Sequence, residues 1–186
     1  DGKTVGDVVT SGTKKEDLAR MIVGRDVLLR VEKTDARPGE NVLNVRNLSV
    51  TGKHGVGVDD VSFHVRAGEV VGVAGIEGNG QTELIEALAG LIPAQRGAID
   101  LFGREISRLS ARRRKELGVA HIPEDRHKRG LLLHSDLEEN SILGVHYRPP
   151  VTSGGGFLNS ATVEKRTREI IENFDVRPPN PQLAPA

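Results

Sequence analysis

The sequence predicts an α/β fold built around a strand, a glycine-rich loop and a helix, and three consecutive observations predict it. Val70-Val71-Gly72-Val73-Ala74-Gly75 is a continuous apolar run, as expected of a strand buried on both faces. Gly75-Ile76-Glu77-Gly78-Asn79-Gly80-Gln81-Thr82 follows directly, with two glycines five apart and then a hydroxyl residue. Leu84, Ile85, Leu88 and Leu91 then recur at helical spacing on one face. The octapeptide has the frame of a phosphate loop, except that Gln81 stands where the pattern has lysine.

The other elements follow in order. Val5, Val8 and Val9 alternate with polar residues and glycine over residues 1–10, which predicts a short hairpin or edge strand. Leu18, Met21 and Ile22 predict a helix from Thr13 to Val23, capped by Thr13 or Ser11 and ended by Gly24. Residues 26–41 are charged and broken by Pro38 and Gly39, and read as a linker. Leu43, Val45, Leu48 and Val50 alternate loosely as a strand, and Gly52-Lys53-His54-Gly55 makes a hairpin connection. Val61, Phe63 and Val65 alternate cleanly with Ser62, His64 and Arg66, which predicts a half-buried strand. Beyond the loop and its helix, Ile99 to Phe102 reads as a strand turning at Gly103. Ser110 caps a short basic helix from Ala111 to Leu117. Val119 to Ile122 reads as a strand stopped by Pro123. Residues 125–158 are loop-rich, and Asn159 or Ser160 caps a helix to Phe174 with Val163, Ile170, Ile171 and Phe174 as its apolar face. The prolines from Pro178 onward read as a linker or a cut edge.

Composition bounds the function. The chain of 186 residues has 37% hydrophobic and 28% charged residues, the balance of a soluble globular protein. With 26 basic and 26 acidic residues, no net field draws it to nucleic acid or an anionic membrane. It has no cysteine, which excludes a disulfide scaffold and a thiolate zinc site. No apolar run approaches the roughly 18 residues of a membrane span. The first residues, Asp-Gly-Lys-Thr, carry no apolar h-region, so no signal peptide is expected there.

The loop carries the chemistry. Glycines admit backbone angles that other residues resist, so successive N–H groups can converge on an anion at the positive end of the next helix. Gly75, Gly78, Asn79, Gly80, Gln81, Thr82 and Glu83 are the candidate nucleotide-binding residues, and Thr82 is placed to hold Mg²⁺ between phosphates. A glycine-rich turn with no ligand fits the same octapeptide. Lysine would bring a point charge to the phosphates, whereas Gln81 is shorter and neutral. The substitution predicts weakened binding and poor transition-state stabilisation. Glu77 adds a carboxylate that repels phosphate unless it turns outward. Two basic runs read differently: Arg112-Arg113-Arg114-Lys115 as the solvated face of a helix, and Arg126-His127-Lys128-Arg129 as either loop packing or ligand contact. Asp125 and Arg126 read as a local ion pair. Pro123 interrupts His121, Glu124 and His127, which argues against a metal site there.

Together, Val73 to Leu84 and His121-Ile122-Pro123-Glu124-Asp125-Arg126-His127-Lys128-Arg129-Gly130-Leu131 resemble a known family. It is the ATP-binding subunit of bacterial ABC importers for simple sugars and nucleosides, in which two nucleotide-binding halves are fused and the second has a degenerate phosphate loop. The resemblance implies a P-loop NTPase core with an N-terminal antiparallel β-subdomain, part of a helical subdomain and an incomplete sheet. Residues 1–25 then correspond to the tail of a preceding half. Residues 42–124 correspond to the β-subdomain and core of the second half, and residues 125–186 to the start of the helical subdomain, beginning near Leu137-Glu138-Glu139-Asn140. Glu124 stands where related ATPases place a glutamine that joins the γ-phosphate site to that subdomain, so it joins Thr82 as a candidate Mg²⁺ contact. No catalytic residue is assigned, since the family's signature motif, acidic strand and switch histidine belong after Ala186. The implied cofactors are ATP or ADP and Mg²⁺. The implied partners are transmembrane permease subunits, the other nucleotide-binding half and, indirectly, an extracytoplasmic solute-binding protein. The implied location is the cytoplasmic face of the membrane. Between Thr51 and Asp60 only His54 could stack on adenine. The alternative is a scaffold or regulatory domain of the same kind of transporter that binds no nucleotide.

Overall fold

A computed structural model describes residues 3–24, 35–52, 55, 57–153 and 155–184. Its centre is a four-stranded antiparallel sheet in the order β2-β1-β3-β4. Strand β1 (Asn41–Thr51) forms a hairpin with β2 (Gly57–Arg66) and pairs on its other edge with β3 (Arg96–Leu101), which turns into β4 (Arg104–Glu105). The loose alternation of β1 has a physical cause. Val45, Leu48 and Val50 all reach the core, although the step from 45 to 48 is odd. The ladder shifts register on both sides of β1 between these positions, and Asn47 takes φ +47°. This bulge returns Leu48 to the buried face. Two neighbours hold it: Asn47 Nδ2 donates to Asp60 Oδ1 at 2.8 Å, and its N–H donates to Ser62 Oγ at 2.7 Å. Opposite it, Gly97 has φ +93°, and a Cβ there would meet the Arg46 and Asn47 carbonyl oxygens at 2.5 Å.

Helix α2 (Gln81–Ala89) lies on the sheet and ends at Gly90 in the left-handed region, φ +78°. Leu84 and Ala87 join Val45, Leu48, Val50, Ile99 and Ile106 in one core, with Leu88 packed against it. Its buried residues are Leu84, Glu86, Ala87 and Ala89, with Leu88 half-buried, whereas Ile85 and Leu91 are exposed. Helix α3 (Ala111–Glu116) is capped by Ser110, whose hydroxyl accepts the Arg113 N–H. Its basic run is not a uniformly solvated face. Arg114 is buried, and its guanidinium donates to four carbonyls: Ala87 and Leu88 at the end of α2, Ser107 and Leu109. It ties α3 to the C-terminal end of α2, where the last carbonyls lack helical partners. Arg112 and Arg113 stay outside and pair with Glu116.

A second, smaller core holds Ile142, Val151 and Val163, beneath α5 (Leu137–Ser141) and α6 (Ser160–Asn173). Asn159 caps α6. The buried side of α6 is Val163, Thr167 and Ile171, while Phe174 lies beyond the helix and is exposed. The proline-rich tail is more than a linker: the Leu183 and Pro181 carbonyls accept the N–H groups of Leu137 and Glu138 at the start of α5.

Other expectations are corrected. Val70 to Gly75 and Val119 to Ile122 form no strand, and Val70 and Ile122 are 96% and 92% exposed. A strand is stabilised by a ladder on its edges, and neither run pairs with a strand among the described residues. Residues 3–9 form no hairpin or edge strand; a single 3₁₀ turn, Thr10–Gly12, follows. Helix α1 (Lys15–Val23) has Lys14 as its N-cap residue, with the Asp17 carboxylate accepting the Lys14 N–H and Gly24 closing the helix. The Asp125 carboxylate caps the short helix α4 (Arg126–Arg129) by accepting the Lys128 N–H, and no ion pair joins it to Arg126 among the described residues. Residues 26–34 of the expected linker, Arg25 before it and His54 lie outside the described residues.

Candidate functional site

The site grows from the turn into α2. Asn79 N–H and the Gln81 side-chain amide both donate to the Ile76 carbonyl, at 3.1 and 3.2 Å. Gln81 thus folds back across the loop. Its amide lies over Gly75 so closely that a Cβ there would meet Nε2 at 1.6 Å, so a side chain at position 75 would displace the flexible Gln81 amide. Gly80, at φ +99°, is buried against the start of β2, where a Cβ would meet the Gly57 carbonyl oxygen at 2.5 Å. This contact sets the loop on the sheet. Gly80 has no side chain to accept from the first turn of α2, so the helix begins without a side-chain cap. Those first-turn N–H groups are the ones a helix leaves for an outside acceptor.

A cleft of about 400 Å³ opens beside this turn. Gln81, Thr82, Ile85 and Glu86 line it from α2, and residues 121–125 with Lys128 and Arg129 line it from the facing segment. Of the candidate nucleotide- and Mg²⁺-binding residues, Gln81, Thr82 and Glu124 meet in this cleft, together with Lys128 and Arg129 of the second basic run. Gly75, Gly78, Asn79, Gly80 and Glu83 do not line it; the glycines and Asn79 shape the loop beside it. Glu77 is exposed. Among the described residues, no group of three or more His, Asp or Glu side chains is arranged to hold a metal by itself.

One feature of the cleft escaped sequence reading. Glu86 of α2 is buried and ion-paired with Arg129 of α4. The pair bridges the loop helix and the segment that carries Glu124. Its only sequence signal is a carboxylate set inside the apolar stretch Leu84 to Ala89. Arg114 escaped for the opposite reason, since nothing within a run of four basic residues distinguishes it. Burial pushes the Arg114 guanidinium below its ordinary pKa, and its four carbonyl acceptors keep the buried cation satisfied.

The ABC transporter family model matches residues 58–184. The chain is 41% identical over 180 residues to the guanosine import ATP-binding protein NupO of Bacillus subtilis, covering 96% of this chain and 35% of that one. It is 41% identical over 177 residues to the nucleoside import ATP-binding protein NupA of Lactococcus lactis, covering 95% and 35%. A putative ribose/galactose/methyl galactoside import ATP-binding protein of Ralstonia nicotianae is 36% identical, covering 96% and 33%. The chain therefore spans about a third of the length of the curated relatives it matches. In fold it is similar to an ATP-binding cassette of an ABC transporter in its ADP conformation, with a TM-score of 0.54 at 18% identity, covering 73% of this chain and 54% of that one. A nucleotide-free cassette gives a TM-score of 0.52 at 16% identity, covering 73% and 55%. No helix among the described residues is long and apolar enough to cross a membrane. The fold, the loop and a family match over most of its length agree: the chain belongs to the ATP-binding family of ABC transporters.

Proposed function

We propose that this chain is the nucleotide-binding core of the energy-coupling subunit of an importer for nucleosides or simple sugars. It corresponds to the second of two fused halves, with residues 1–25 as the tail of the first. Its site binds ATP or ADP weakly and leaves hydrolysis to the partner half. The observation that carries this reading is the cleft that joins Gln81 and Thr82 to Glu124. The uncapped first turn of α2 suits a phosphate group. The Thr82 hydroxyl and Glu124 carboxylate supply the hard oxygen donors that Mg²⁺ takes. When bound, Mg²⁺ would neutralise phosphate charge. The chain's own contribution is to bind and orient: Gly78, Asn79 and Gly80 set the loop, and Gln81 offers an amide but no charge. Phosphoryl transfer depends on positioning and on charge neutralisation, and this half lacks the loop lysine. Residues 131–174 would carry motion to a transmembrane permease at the inner face of the membrane. A solute-binding protein outside the cell would act only through that permease.

Titration calorimetry with Mg-ATP and Mg-ADP tests the reading. Binding with a dissociation constant in the micromolar to millimolar range is expected, with turnover by the chain well below about 1 per second, the low end of ordinary kinase rates. Turnover at that rate would overturn the division of labour. Absence of heat and of thermal shift at millimolar nucleotide would favour the second reading, a scaffold that binds no nucleotide. The fold-back of the Gln81 amide onto the Ile76 carbonyl favours that alternative, because the side chain is already engaged within its own loop.

A further inference from the structure

We infer that Lys128 supplies the phosphate-countering cation that the loop lacks at Gln81. This rests on the nucleotide reading above and extends it to a residue on a different element. The neutral Gln81 and the basic Lys128 line the same cleft from opposite elements. The other charges in that cleft are largely spoken for. Arg129 pairs with Glu86, and the Asp125 carboxylate caps α4. Lys128 has no ion-pair partner among the described residues, and it is exposed at the cleft wall. Glu124 is the remaining carboxylate and is the candidate Mg²⁺ ligand.

The surrounding structure fixes where Lys128 stands. Helix α4 is a single turn held at both ends. Asp125 caps its start, and the Gly130 N–H closes on the Arg126 carbonyl at 2.8 Å. Gly130 is packed so tightly that a Cβ there would meet the Arg126 backbone and the Pro123 ring at 3.1 Å. The neighbouring Arg129 is anchored to α2 through Glu86. A long, flexible side chain thus starts from a fixed backbone position beside the cleft. Lysine suits this task, because an ammonium is a compact charge that needs no planar fork to reach a phosphate.

The test is titration of the chain with Mg-ATP and with inorganic tripolyphosphate, at low and moderate salt, for wild type, Lys128→Gln, Lys128→Arg and the double variant Lys128→Gln/Gln81→Lys. Lys128→Gln is expected to weaken both ligands about tenfold or more, equivalent to about 1.4 kcal/mol, and to flatten the salt dependence. Lys128→Arg should retain most of the affinity. Restoring lysine in the loop through the double variant should recover binding, which a merely structural role for Lys128 would not predict. Wild-type binding of both ligands that Lys128→Gln leaves unchanged overturns this inference and leaves the nucleotide reading standing. Failure of wild type to bind either ligand overturns both. Lys128 is exposed, so equal melting temperatures are expected for all variants, and a drop in Lys128→Gln alone would assign the residue to stability instead.

Discussion

The antiparallel sheet and the run before the phosphate loop have similar apolar sequence and opposite fates. Val45 in β1 is 2% exposed, whereas Val70 is 96% exposed. The difference lies in their partners. β1 has a ladder on both edges and α2 across its face. Residues 70–75 and 119–122 have no ladder among the described residues. Apolar composition favours a strand only where another strand satisfies its backbone and another layer covers its side chains.

Hydrogen exchange should give the widest separation between these regions. Central β1 amides are expected to open only with the whole domain, while amides of residues 70–76 exchange nearly unprotected. Equal protection would break the comparison. In urea denaturation, Leu48→Ala, at a fully buried position, should lose about 2–5 kcal/mol, and Val70→Ala should change stability by less than about 0.5 kcal/mol. A large loss for Val70→Ala would mean that the run is covered in solution. The contrast extends to charges within one helix. Arg114→Met should cost about 1–3 kcal/mol by stranding carbonyls of α2, and Arg113→Met within about 0.5 kcal/mol, measured in the same way.

The smallest effect expected is that of Glu116. Hydrogen bonding from Arg113, supported by Arg112 and Tyr147, holds its carboxyl below the usual 4.5. A depressed carboxylate pKa contributes stability that is fully present above about pH 4.5 and lost as pH falls through the folded value. Glu116→Gln should therefore lower the melting temperature slightly at neutral pH and leave it unchanged in acid, below the folded pKa. An equal decrease at both pH values would assign the effect to packing.

Much of the fold was legible because its signals are local. The clean alternation of Val61, Phe63 and Val65 predicted β2, and the glycine frame predicted the turn into α2. Ser110 and Asn159 marked the starts of α3 and α6. The bulge at Asn47 was written in the odd spacing from Val45 to Leu48, but only the paired strands explain it. Of the candidate site residues, Gln81, Thr82 and Glu124 share one cleft, while Gly75, Gly78, Asn79, Gly80 and Glu83 do not line it. The ion pair Glu86–Arg129 and the staple at Arg114 were not legible, because each joins residues whose spacing in the chain carries no period. The same holds for the place of Lys128 in the cleft with Gln81, which depends on the long-range ion pair that joins α4 to α2.

The sequence by itself determined the glycine-rich loop frame, the glutamine at position 81 and many of the elements around it, because glycine freedom, capping and apolar periodicity act over a few residues. The tertiary structure alone decided which apolar runs became strands and which basic residue was buried. It also decided which basic residues share a cleft with Gln81. Burial, pairing and charge neighbourhood depend on what the rest of the chain brings alongside, and no short stretch of sequence contains that.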